Sequence, residues 1–340
     1  MSNSKNKKNS AQDIFLNKEI SLDQTLRPKK LSEFIGQKRI KKSLSVFLKA
    51  AKKRRECLEH ILFHGPPGIG KTTLAHIIAL ELKVPIKITS GPAIERMGDL
   101  AAILSSIEDN GVLFIDEIHR LNRQIEEILY PAMEERKIDL ILGKGPSAQI
   151  MRLDLAPFTL IGATTQYASL SSPLRERFGI VYRLNFYEPE EIETIVRRSA
   201  KILKVKIKKE AVKQIARRAR FTPRIANRLL KRIRDFADVE NRAIIDSAIA
   251  QKAMDILGID DFGLDELDRK ILETILKKFN GGPVGINTLA SAVGEEKATL
   301  EEVYEPFLMR LGFLNRSLRG RVITQKGIAH IQKPPLFELK

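Results

Sequence analysis

The chain has 340 residues, 43% of them hydrophobic, enough for roughly two or three domains with cores of their own. Its net charge of +17 favours an anionic partner, nucleic acid first and an acidic membrane surface second. The single cysteine, Cys57, excludes an internal disulfide framework and a cysteine-built zinc site, and reads as a helix-packing residue. No apolar run approaches the ~18 residues needed to cross a bilayer and no signal segment follows the start, so a soluble, cytoplasmic protein is expected.

Residues 1–21 open with MSNSKNKKNSAQ, a polar Lys/Asn/Ser stretch without periodicity, expected to be a disordered tail. Over residues 22–185 strand-like and helix-like segments alternate. The apolar runs Ile61–His64, Ile86–Thr89, Val112–Ile115, Thr159–Ala163 and Ile180–Leu184 predict buried strands of a doubly wound, parallel α/β domain.

Gly65-Pro66-Pro67-Gly68-Ile69-Gly70-Lys71-Thr72 lies between the first strand and an apolar helical run. It fits the phosphate-loop pattern G-x-x-x-x-G-K-[ST] at every required position. Glycines let backbone N–H groups wrap a triphosphate at a helix N-terminus. Lys71 is placed to reach the β- and γ-phosphates, and Thr72 to offer its hydroxyl to Mg²⁺. ATP and Mg²⁺ are the expected ligands.

Val112–Ile115 ends in Asp116-Glu117. Asp116 suits a Mg²⁺ contact, and Glu117 suits orienting and deprotonating the attacking water. Segment 137–153 reads as a β-hairpin around Gly143–Ala148. It is either a partner-docking element or an edge hairpin packed on its own sheet. Thr159–Ala163 ends in Thr164-Thr165, of which Thr165 is favoured to touch the γ-phosphate or the water. Arg175 and Arg177 offer guanidinium groups for a transferring phosphoryl, although two arginines alone read more simply as a solvated pair.

Residues 186–258 show only helical patterns and carry 18 Lys/Arg against 10 Asp/Glu. Thr222 is expected to cap a helix with Pro223 in its first turn. Arg224 in that turn opposes the helix dipole, which points to an anion nearby. Residues 259–335 predict three helices, Leu267–Phe279, Ile286–Val293 and Thr299–Leu311. Two short strands, Phe313–Ser317 and Arg321–Thr324, follow, as in a winged helix. The third helix starts with Glu301, Glu302 and Glu305, which suits a major groove poorly, whereas the ribbon is basic. The five histidines read as packing residues.

Taken in order, HGPPGIGKTTLA, LFIDEIHRL, TLIGATT, SSPLRERFG and TPRIANRLL resemble the AAA+ ATPases, and within them the RuvB family of Holliday-junction branch-migration motors. The likeness runs from Leu26-Arg27-Pro28 to Gly312-Phe313-Leu314-Asn315-Arg316. It implies a P-loop AAA+ domain, a small helical domain and a C-terminal winged helix. By resemblance, Leu26 and Arg27 lie near the base. Gly68, Gly70, Lys71, Thr72 and Thr73 hold phosphates, Thr72 and Asp116 serve the metal, and Glu117 and Thr165 are catalytic. Arg177 acts on ATP of the neighbouring subunit, while Tyr187 and Arg224 contact nucleotide from the helical domain. Arg316 and Arg321, with Lys297 and Arg319 as weaker candidates, contact DNA. The implied partners are double-stranded DNA at a four-way junction, a RuvA-like protein docking on hairpin 138–153, a RuvC-like resolvase and five further copies in a hexameric ring. The family context is recombination, repair and the SOS response. Gln166, Arg136 and Leu318 depart from the family pattern without removing a catalytic group. A clamp-loader-like remodeller and a winged-helix transcription regulator are the competing readings.

Overall fold

A computed structural model describes residues 24–142 and 149–332. The expected tail and residues 333–335 lie outside them, as does the hairpin tip. The chain divides into two compact units, Met1–Gly65 with Gly70–Asn185, and Pro66–Ile69 with Phe186–Lys340.

The first unit is built on five parallel strands: β1 (Ile61–His64), β2 (Ile86–Ser90), β3 (Gly111–Asp116), β6 (Phe158–Thr164) and β7 (Ile180–Arg183). Their order is β2-β3-β6-β1-β7. β1, β3 and β6 are central, and helices on both faces allow near-continuous apolar runs instead of alternation. The helices are α1 (Lys38–Arg54), α2 (Lys71–Leu82), α3 (Met97–Ser105), α4 (Arg123–Glu134) and the short α5 (Ser172–Glu176). α4 starts where the Asn122 side chain accepts from Ile125 N–H, 2.9 Å, and it buries Ile125, Leu129 and Met133 in the core. β4 (Lys137–Leu142) and β5 (Gln149–Asp154) form a separate antiparallel ribbon that does not join the main sheet. Cys57 is not on a helix as expected. It lies between α1 and β1, its thiol directed to Asn110 Oδ1 at 3.0 Å, and burial raises its pKa.

The second unit holds helices α6 (Pro189–Ile202), α7 (Lys209–Arg218), α8 (Pro223–Val239) and α9 (Ser247–Ile256). The all-helical expectation misses one detail. Lys206–Ile207 (β8) and Ile244–Ile245 (β9) pair in parallel, a contact too short to leave a period in the sequence. Next come α10 (Glu266–Lys278) and α11 (Ile286–Val293), then a continuous helical run from Lys297 to Leu311. That run is wound as a π-helix over Leu300–Tyr304 before α12 (Glu305–Leu311). The wing, β10 (Leu314–Ser317) and β11 (Gly320–Ile323), is followed by α13 (Gln325–Ile331). Gly320 is required there: its φ is +137° and a Cβ would meet Val284 O at 2.3 Å.

The helical and winged parts of this unit are joined by buried charge. Arg218, 3% exposed, donates to Asp260 O at 2.9 Å and pairs with Asp261. Arg220 bonds Asp265 at 2.6 Å and the fully buried Asp268 at 2.5 Å. Asp268 also closes the capping box of α10, yet its Oδ1 is buried without a partner. Burial outweighs the opposing attraction of Arg220, and the nearby Asp265 charge adds to it, so the Asp268 carboxyl is pushed up to about 7. Because its ordinary value is 3.8, the folded chain binds a proton that the unfolded chain has lost between those two pH values. Stability from this group is therefore present at low pH and falls as pH rises from about 4 to about 7, by on the order of a few kcal/mol. Urea titrations of the parent and Asp268→Asn across that window check this. The variant is expected to show the flatter profile.

Candidate active site

Register alone places the chemistry. β1 and β6 pair with His64 opposite Thr164, and β3 lies on the other side of β6, with Ser90 of β2 opposite Asp116. Three adjacent parallel strands therefore release the phosphate loop, Asp116-Glu117 and Thr165 at one sheet edge, their carboxyl ends.

Gly70 turns the chain at φ +102° into α2, whose N-terminal N–H groups face the loop's end. Lys71 is 7% exposed and its Nζ donates to Gly65 O at 2.7 Å. Thr72 Oγ1 lies 3.4 Å from Asp116 Oδ2, a hydroxyl beside a carboxylate. Those two groups fit Mg²⁺, which takes one or two protein oxygens and completes its shell with water and substrate phosphates. Among the described residues no cluster of three His, Cys, Asp or Glu offers an all-protein metal cage. Thr73 is half-buried in the same helical turn. Leu26 is buried and Arg27 half-buried beside a short turn that precedes α1. Burial lowers the pKa of His76, and the Arg27 charge lowers it further.

Glu117 adopts a left-handed backbone, φ +47°, uncommon for a non-glycine and a form of strain that collects at functional sites. Thr165 Oγ1 donates to Glu117 Oε2 at 3.3 Å. His119 also reaches it: its Nδ1 is 3.3 Å from Glu117 Oε2 and 2.9 Å from Thr164 Oγ1. His119, expected only to pack, has a side chain 8% exposed that packs against Glu117. Its place two residues after Glu117 is the only signal of that in the sequence. His60 is a satisfied core histidine, its ring bonded to Leu160 N and Met133 O.

Within the second unit, Pro66–Ile69 of the loop meet the two residues expected from the helical domain. Tyr187 is buried and its hydroxyl donates to Ile69 O at 3.1 Å. The Arg224 backbone N–H donates to Gly68 O at 3.3 Å, and a Cβ on Gly68 would lie 3.1 Å from Arg224 Cβ. Thr222 occupies the N-cap position but does not cap. Its hydroxyl turns back to Ala219 O. The first turn of α8 thus has a donor to spare, and the loop carbonyl takes it.

Arg177 is held by three neighbours in its own unit. Its guanidinium lies over the Tyr130 ring at 4.3 Å, donates to Pro173 O at 2.8 Å and pairs with Glu134 at 3.2 Å. Gln166 bonds locally, its N–H to Thr164 Oγ1 and its side chain to Ser169.

At the wing, Arg316, Arg319 and Lys297 are exposed. Leu318, between the two arginines, is fully exposed. Arg321 differs from these in exposure. It is 6% exposed, and its guanidinium is bonded to Glu305, 4% exposed, and to Glu301 at 3.1 Å. Arg316 lies directly opposite it on β10 and reaches the same Glu301 at 3.5 Å, but is exposed.

A phosphate loop at the carboxyl edge of a parallel sheet, an acidic pair two strands away and a polar residue on the strand between define a P-loop ATPase of the AAA+ class. Three family models match in chain order: the Holliday junction DNA helicase RuvB P-loop domain over residues 26–184, the RuvB AAA lid domain over 187–260 and the RuvB C-terminal winged helix domain over 261–332. The chain belongs to the RuvB family. It is 55% identical over 93% of its length to the Holliday junction branch migration complex subunit RuvB of Fusobacterium nucleatum, covering 95% of that protein. It is 56% identical to the same subunit of Dehalococcoides mccartyi, covering 92% of this chain and 90% of that one. The solved Thermotoga maritima RuvB Holliday junction branch migration motor aligns with a TM-score of 0.83 at 53% identity, over 90% of this chain and 98% of that one. No described helix is long and apolar enough to cross a membrane.

Proposed function

We propose that this chain is an ATP-driven motor for Holliday-junction branch migration in recombination and repair. One observation carries the reading: Lys71, Thr72, Asp116, Glu117 and Thr165 gather at one sheet edge, in a chain that ends in a wing with exposed arginines. Its parts are taken as an ATPase domain at 22–185, a lid at 186–258 and a winged helix at 259–335. ATP binds with its β- and γ-phosphates at Lys71. Thr72 and Asp116 hold Mg²⁺, which neutralises phosphate charge when bound. Glu117, steadied by Thr165 and His119, takes the proton of the attacking water. Leu26 and Arg27 lie on the base side, while Tyr187 and Arg224 read the nucleotide from the lid. Arg177 acts on ATP of the next subunit in a hexameric ring, in the cytoplasm.

Duplex DNA at a four-way junction is the track, gripped through phosphates by Arg316 and Arg319, with Lys297 contributing. A RuvA-like protein docks on hairpin 138–153, and a RuvC-like resolvase works in the same complex. Arg321, paired with Glu305 and Glu301, is taken to support Arg316 across the ribbon. Dissociation of a synthetic four-way junction, with and without ATP and a RuvA-type partner, tests the motor. ATP-independent or absent dissociation under all conditions would refute it. For the grip, Arg316→Ala with Arg319→Ala is expected to weaken duplex binding across all sequences and to lower the slope of log affinity against log salt by about 2. An unchanged slope would move the contact off the wing.

A further inference from the structure

Arg177 is half-buried and held in one orientation. One face of its guanidinium lies on Tyr130, while its N–H edge serves Pro173 O and the Glu134 carboxylate. The Glu134 side chain is more than half exposed, so this anion can be exchanged for another. The ring contact is of a different kind. It engages the face of the guanidinium and leaves the N–H edge for whichever anion is bound.

Tyr130 is itself fixed from below. Glu126, on the same helix α4, is only 5% exposed. Its Oε2 accepts from Ser171 Oγ at 2.6 Å and from the Tyr130 hydroxyl at 3.2 Å, and Tyr130 and Ser171 hydroxyls are 3.1 Å apart. Ser171 in turn is the N-cap of α5, accepting from Leu174 N–H. A buried carboxylate with two hydroxyl partners thus ties α4 to the start of α5, and Arg177 follows directly after α5. Neither the phosphate site nor the wing uses this triangle.

We propose that Tyr130 is a positioning residue for Arg177: its ring is the shelf on which the guanidinium is laid, on a helix that Glu126 and Ser171 tie to the start of α5. This rests on the reading of Arg177 as the group that stabilises phosphoryl transfer in a neighbouring subunit. An arginine on a flexible stem gives up rotamer freedom each time it engages. A shelf removes that freedom beforehand, so the effect falls on turnover and not on nucleotide binding.

The experiment compares full-length Tyr130→Leu, Tyr130→Phe, Arg177→Ala and the Tyr130→Leu/Arg177→Ala double variant by steady-state ATP hydrolysis. Each is assayed alone and mixed with Lys71→Ala chains. Tyr130→Leu is expected to lose about tenfold or more in kcat with KM within about twofold, because arginine fingers contribute far more than that. Tyr130→Phe keeps the ring and should stay within about threefold of the parent. The double variant should match Arg177→Ala, since a residue that acts only through Arg177 adds nothing once Arg177 is gone. Lys71→Ala chains carry an intact Arg177 and Tyr130, so mixing should restore hydrolysis to Tyr130→Leu as it does to Arg177→Ala.

Parent-like turnover of Tyr130→Leu would overturn the proposal. So would a double variant far worse than Arg177→Ala, or a Tyr130→Leu defect that mixing leaves in place while it rescues Arg177→Ala. If Tyr130→Leu fails to fold, a Tyr130→Phe chain as slow as Arg177→Ala would likewise refute the shelf. Failure of Arg177→Ala itself to be rescued is a separate result: it removes action in trans, and the shelf with it.

Discussion

Lys71→Ala is expected to reduce ATP hydrolysis by at least about 10³-fold, to the background of the assay, while the chain remains folded. The magnitude follows from what the ammonium is placed to do. It is almost fully buried, and its Nζ donates to a neutral carbonyl, Gly65 O. A cation in that setting is oriented before substrate arrives and acts where water is scarce, so its charge is worth more against a transferring phosphoryl than it would be in solvent. Loss of even one neutral donor from such a preorganised site costs roughly 10²–10³ in turnover, and this donor is charged. Folding should survive because alanine suits the first turn of α2. Hydrolysis and thermal unfolding of the same preparation give the answer. A folded variant with parental turnover would remove the phosphate-loop assignment altogether.

The second large effect concerns stability. Arg321→Ala should destabilise the winged helix by about 3–5 kcal/mol, the usual consequence of removing one partner from a buried ion pair. Glu305 would be left 4% exposed with its carboxylate unsatisfied, and Glu301 would lose its inner contact. The strand itself depends on the same place, because Val284 and Arg321 exchange backbone hydrogen bonds at 3.0 and 2.8 Å. Denaturant unfolding measures the loss. Arg321→Met together with Glu305→Leu should be more stable than Arg321→Ala, since an apolar pair of similar size needs no charge partner. If Arg321→Ala instead leaves stability untouched and lowers only DNA affinity, the side chain is a surface contact after all.

That contrast marks where the sequence stopped being legible. β1, β3 and β6 could be placed within a residue or two, because strands buried on both faces read as unbroken apolar runs. The phosphate loop was fixed by glycines whose positive φ the structure retains at Gly68 and Gly70. Arg316 and Arg321, by contrast, look alike in a short alternating ribbon. Which of them is inside is decided by Glu305, sixteen residues away on another element. The role of Glu305, holding Arg321, has no periodic signature. His119 was missed for a related reason. Its contacts with Glu117 and Thr164 arise from a sharp backbone turn and a strand pairing that a linear pattern does not record.

The two consecutive-turn arginines at the end of α7 carry a mechanical consequence. Arg218 and Arg220 fasten the lid to residues 260–268 through buried charge, and Arg310 adds a second fastening by stacking on Phe221 and pairing with Glu188. These guanidinium groups act as rivets between the lid and the wing, so a pull on the wing is shared between them and the chain itself.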